Sequence, residues 1–101
     1  MKKWELRSSD IHGVGVFNTN WLHPKELIDV GITFFIGFIP NVTFFGSKIN
    51  HSYSPNAILR YDSKSNTYNV YSDTYMPPNT EITINYQDTP FFIMGPESHY
   101  K

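Results

Sequence analysis

Three short segments of this chain hold residue types that could do chemistry: Gly13-Val14-Gly15, Asn50-His51-Ser52-Tyr53-Ser54-Pro55-Asn56, and Glu81-Ile82-Thr83-Ile84-Asn85-Tyr86. Glycine lets the backbone approach a ligand closely and take a positive φ. Gly13 and Gly15 therefore suit either a cradle for a small molecule or a tight bend at the start of a strand. They are not a dinucleotide fingerprint, because the third glycine and the following helix are missing. In the second segment Pro55 biases Ser54 towards extended geometry and fixes the local path. Burying so rigid a polar run is costly unless each amide finds a partner. Its own backbone can supply partners, as in a polar turn, and so can a bound polar ligand. A metal site is a third reading, with His51 joined by His12, His23 or His99; no close histidine pair and no cysteine support it. Tyr86 ends an alternating segment, either as a core tyrosine or as a hydroxyl turned towards a ligand.

The elements that must position these residues read as strands. Aromatic residues make up 17% of the chain, and good helix formers are scarce. Lys3 to Arg7 and Gly13 to Asn18 read as short strands. Residues Glu26 to Ile39 are rich in Ile, Val, Phe and Thr, a β composition, with Gly31 and Gly37 marking bends or bulges. Ala57 to Tyr61 and Thr67 to Ser72 flank the polar run Asp62 to Asn66, which suits a hairpin loop. After the turn Pro77-Pro78-Asn79-Thr80, a strand is expected over Glu81 to Gln87, with Ile82, Ile84 and Tyr86 on one face. Leu22 to Leu27 has room for one helical turn. No repeat or linker interrupts residues 1–101, which read as a single domain.

Bulk properties narrow the function. The net charge is −1 with 17% charged residues, which gives no basic stripe for nucleic acid. Cysteine is absent, so neither disulfides nor a thiolate zinc site are available. The longest apolar run, Ile32 to Pro40, is interrupted by Gly37 and too short to span a membrane. No apolar stretch follows the basic N-terminus as in a signal peptide. The expectation is an intracellular, non-secreted protein, on which the sequons at Asn41 and Asn50 are accidental.

Taken in order, the glycine pair, the asparagine-histidine-serine-x-x-proline-asparagine run, the turn before Glu81 and the strand leading to Tyr86 resemble the signature motifs of the SET domain. That is the protein-lysine methyltransferase fold that uses S-adenosylmethionine. The resemblance covers roughly Arg7 to Phe92 and is closest to the very small viral SET proteins. It implies a mainly β fold of short sheets with little helix and a C-terminal pseudoknot, a departure from the usual avoidance of threading. It also implies cofactor contacts from Gly13, Val14 and Gly15 to the methionine part, from Asn50 and His51 to the amino-acid end and the adenine, and a catalytic Tyr86 beside the transferring methyl. The implied partner is a protein with a target lysine, a host protein or a histone.

The sequence also departs from the family pattern. The insert that usually forms part of the substrate groove shrinks to Asp29 to Ile49. Leu59 stands where several members have an aromatic residue, and no pre- or post-SET module is expected. A second reading follows, a SET-like module that binds cofactor or a partner with little or no turnover. The lid role of the missing post-SET cluster falls to Phe91, Phe92, Met94 and Tyr100, or else that aromatic tail packs into the core. A homodimer is expected, because so small and aromatic a domain gains by burying a patch and completing its groove. A purely structural β-domain with accidental motif matches is the remaining alternative.

Overall fold

The computed structural model of the chain describes residues 2–89. They form two four-stranded sheets. In the first, β1 (Trp4–Ser8) and β2 (Val14–Asn18) make an antiparallel hairpin. Its loop is closed by the Ser9 amide donating to Gly13 O at 2.8 Å. Gly13 takes φ +49 there, a left-handed conformation that glycine adopts at little cost. Strand β8 (Glu81–Ile84) lies antiparallel beside β2. The two-residue β5 (Asn50–His51) runs parallel along the other edge of β8, Asn50 opposite Thr83 and His51 opposite Ile84. Two motifs distant in sequence thus become neighbouring strands.

The second sheet has the order β4-β3-β7-β6, from β3 (Leu27–Phe35), β4 (Ile39–Val42), β6 (Ala57–Asp62) and β7 (Thr67–Ser72). Register shifts between Leu27 and Asp29 and between Val30 and Ile32 bulge β3, the second at Gly31 as expected. A Cβ on Gly31 would press on Leu59 and Val70. Ile36 (φ +55) and Gly37 (φ +82) make the β3–β4 turn, with the Phe38 amide donating to Phe35 O at 3.2 Å. Two successive positive φ values are the signature of a type I′ hairpin turn. An isoleucine in the first of these places is strained.

Between the sheets lies an apolar core that includes Trp4, Val16, Leu22, Phe45, Val70 and Ile82. Trp4 also donates from Nε1 to Asp29 Oδ2 at 2.8 Å. One local expectation fails. Leu22 to Leu27 holds no helical turn: Leu22 is extended and exchanges both backbone hydrogen bonds with Met76, each 2.9 Å. Leu22 and Met76 are each 1% exposed, so a distant strand-like partner and burial set the local path. The α-helix is instead α1 (Phe44–Ser47), capped by Thr43 Oγ1, which accepts from the Gly46 amide at 3.0 Å. Gly46 lies so close to Gly31 that a Cβ would strike its carbonyl. Among the described residues no helix is long and apolar enough to cross a membrane. The expected C-terminal pseudoknot and the aromatic tail lie outside the described residues.

Candidate active site

Asn50 is the hub. It is 7% exposed, and β5 presents its side chain beneath the β1–β2 loop. Its Nδ2 lies 2.8 Å from Glu81 Oε2, 3.1 Å from Ser9 Oγ, 3.1 Å from His12 O and 3.4 Å from Val14 O. Ser9 Oγ lies 2.8 Å from both carboxylate oxygens of Glu81, to which it donates, and accepts from the Ile11 and His12 amides at 2.9 and 3.3 Å. Asn50 Oδ1 accepts no hydrogen bond among the described residues, although a buried amide oxygen ordinarily has a partner. Gly15 is buried over this network, and a Cβ there would overlap Glu81 Oε2 and lie 3.1 Å from Asn50 Nδ2. Around Gly13, by contrast, a Cβ would meet nothing within 4 Å. Gly15 thus serves close packing within the protein, whereas Gly13 borders open space. Val14, half exposed, joins the site through its carbonyl.

Asn56, at the far end of the same run, is fully engaged. Its Nδ2 donates to Glu81 O at 2.8 Å and its Oδ1 accepts from the Thr83 amide at 2.9 Å. A side-chain amide here substitutes for a neighbouring strand along β8. On the opposite side, Asn18, wholly buried, accepts from the Thr80 amide at 2.7 Å and donates to Pro77 O at 2.8 Å. These two asparagines fix the start of β8, and with it Glu81.

Tyr86 leaves the expected strand. β8 ends at Ile84, and Tyr86–Asp88 form a single 3₁₀ turn, with Asn85 Oδ1 accepting from the Gln87 amide at 2.9 Å. This local side-chain bond offers the backbone an alternative to the sheet, so the strand stops short, although Tyr86 still packs with Ile82 and Ile84 against the core. The turn carries the phenol inwards, where its hydroxyl donates to Ile49 O at 2.6 Å, one residue before Asn50. The Tyr86 amide in turn donates to His51 Nδ1 at 3.0 Å. Nδ1 is therefore the unprotonated nitrogen and any ring proton of the neutral form sits on Nε2. The His51 ring lies 5.0 Å from that of Tyr86 and 4.3 Å, edge to face, from Tyr53. Among the described residues no three His, Cys, Asp or Glu gather as metal ligands.

Beside the 3₁₀ turn a cleft of about 210 Å³ runs between β6 and the end of β8, with Leu59, Arg60, Ile84, Asn85 and Asp88 in its walls. Leu59 reaches it as an aliphatic side chain. Tyr53, edge to face with His51, is 73% exposed.

Gly15 and Asn50 therefore share one network with Ser9 and Glu81, with Gly13 at its open edge, while His51, the next residue along β5, meets Tyr86 instead. Ser9 and Glu81 were missed as site residues. The signal for Glu81 was its alternation with Ile82 and Ile84, which turns it off the core face. Nothing local marked Ser9, whose partner lies 72 residues away.

Residues 16–87 match the family profile of the SET domain. Among solved structures, that of a Plasmodium falciparum candidate histone methyltransferase superposes with a TM-score of 0.69 at 21% identity, covering 85% of this chain and 94% of that one. At that identity the likeness speaks for the fold. No curated protein matches the chain. With well over half of its length matched, and with its signature motifs gathered around Asn50, the chain belongs to the SET-domain family.

Proposed function

We propose that this protein is a minimal protein-lysine N-methyltransferase dependent on S-adenosylmethionine. The observation that carries the reading is the parallel pairing of β5 with β8, which sets Asn50 and His51 beside the path to Tyr86. The residues fit such a cofactor. Asn50 Oδ1 is a buried acceptor with no partner among the described residues, suited to an ammonium donor. Gly13 leaves room for close approach. When bound, S-adenosylmethionine supplies a methyl on a sulfonium, open to in-line displacement by an amine.

The protein's own task is alignment and desolvation. A lysine of ordinary pKa, about 10.4, needs about 4.6 kcal/mol to lose its proton at pH 7. The aliphatic walls of the cleft at Leu59 and Ile84 lower that cost by disfavouring the ammonium form. Tyr86 gives its hydroxyl proton to Ile49 O, so towards an incoming amine its oxygen acts as acceptor and orients the lone pair. The proton released before transfer passes to water. The cleft carries both Arg60 and Asp88, and the substrate is a protein lysine, of which a histone tail is one candidate. A second copy of the chain, seated on the apolar β3–β4 hairpin where Phe35 and Phe38 are exposed, completes the shortened groove.

The test is transfer of labelled methyl groups to protein lysine, with the signal lost in Tyr86→Phe. A second reading, a cofactor-binding module with little turnover, draws on one observation: among the described residues the cleft is lined by the aliphatic Leu59 and by no aromatic side chain, and Tyr53 is 73% exposed. Cofactor binding without methyl transfer to any lysine of a cell lysate would favour that reading.

A further inference from the structure

Glu81 contributes nothing to the apolar core, and no lysine or arginine pairs with it among the described residues. Its carboxylate instead faces Asn50 Nδ2 at 2.8 Å, held there by the Ser9 hydroxyl. We infer that Glu81 is a positioning residue that locks the orientation of the Asn50 amide, so that the site presents an acceptor and selects a ligand bearing an α-ammonium group. This inference rests on the cofactor reading above and adds the device that would enforce it.

The Asn50 amide has two N–H groups and one oxygen, which a rotation of the terminal amide exchanges. On its inner side lie only acceptors: the Glu81 carboxylate and the carbonyls of His12 and Val14, with Ser9 Oγ between them. The single proton of Ser9 is already directed at Glu81. A flipped amide would set Oδ1 against a carboxylate and two carbonyls with no donor to offset the repulsion. Oδ1 is therefore kept turned away from this cluster, in a residue 7% exposed and without a partner among the described residues. An acceptor in that position binds a donor, and a positive one most strongly. The unpaired charge of Glu81 close behind it adds to the same preference. A ligand whose donor is replaced by hydrogen would leave Oδ1 buried and unsatisfied, the situation in which binding sites discriminate most.

The test compares two ligands on one protein, so that a general loss of folded material cancels. Dissociation constants are measured by calorimetry for S-adenosylhomocysteine and for its analogue lacking only the α-amino group. Wild type is expected to prefer the first by about 10- to 100-fold. In Glu81→Gln the new amide can donate to a flipped Asn50, and the preference is expected to shrink about tenfold. Glu81→Asp keeps the charge but withdraws the carboxylate by one methylene; if contact sets the orientation, its preference shrinks as well. Ser9→Ala, which unfastens the carboxylate, is expected to fall in between and serves if either Glu81 variant fails to fold. Equal binding of the two ligands by wild type, or a wild-type preference retained in Glu81→Gln or Glu81→Asp, overturns the inference and leaves the cofactor reading standing. If wild type binds neither ligand, both fall together.

Discussion

Replacing Tyr86 with phenylalanine separates the catalytic role proposed for this residue from its structural one. The substitution keeps the ring against His51, 5.0 Å away, and removes the hydroxyl that donates to Ile49 O at 2.6 Å. Ile49 is 2% exposed, so water replaces that donor poorly and the cost is about 1.5 kcal/mol. For a domain of this size that lowers Tm by about 6 to 12 °C. A typical domain stability of about 5–15 kcal/mol leaves the variant folded at 25 °C. Any larger loss of methyl transfer is then chemical. Removing one aligned polar group next to a reacting centre commonly costs about 10²–10³ in kcat. The assay is single-turnover transfer of labelled methyl at saturating cofactor, with cofactor affinity measured separately by calorimetry. The reasoning predicts a fall of that size with cofactor affinity within about threefold of wild type. Transfer within about threefold of wild type would refute a catalytic Tyr86, and a parallel collapse of cofactor binding would make it a structural prop of the Asn50–His51 strand.

Other perturbations test separate parts of the account. Gly15→Ala drives a methyl into Glu81 and Asn50; binding of S-adenosylhomocysteine should weaken at least about tenfold and stability should drop by about 1–3 kcal/mol, checked by calorimetry and thermal melts. Ile36→Asn at the strained hairpin position (φ +55) should raise stability by about 1 kcal/mol, and an unchanged or lower Tm would count against the type I′ assignment. Glu26 is held below its ordinary carboxylate value of 4.5 by the His23 amide, which donates to it at 2.9 Å, and then by Lys3 at 3.1 Å. A depressed folded-state pKa stabilises the fold above pH 4.5, and that contribution is lost as pH falls through the lower folded value. For a pair this close to solvent the contribution is at most about 1 kcal/mol; Glu26→Gln should flatten the acid limb of stability below pH 4.5 while leaving methyl transfer unchanged.

Much of this architecture was legible in the chain because its strands announce themselves by composition and its turns by glycine, proline and asparagine. The hairpin at Asp62 to Asn66 and the bulge at Gly31 followed from local chemistry. The grouping of Asn50, His51 and Tyr86 was read only through the family resemblance. What failed was decided at long range or by a single side chain. Leu22 is extended because Met76, far along the chain, supplies both of its hydrogen bonds. The helix at Phe44–Ser47 has poor helix formers and is held by its Thr43 cap and by the contact of Gly46 with Gly31. Tyr86 left the strand because Asn85 caps a tight turn, a local signal that strand alternation concealed. Glu81 and Ser9 were passed over because their chemistry exists only once 72 residues of chain have brought them together.

The central claim is that Asn50 and its neighbours form an S-adenosylmethionine pocket, and calorimetric titration with S-adenosylhomocysteine tests it most directly. The account predicts saturable binding of one molecule per chain by wild type, and at 100 times Kd a stabilisation of about 2.7 kcal/mol in a parallel melt. It also predicts affinity at least about tenfold weaker in Asn50→Ala. No heat of binding and no shift in Tm with wild type would contradict it, and so would equal affinity in the Asn50 variant.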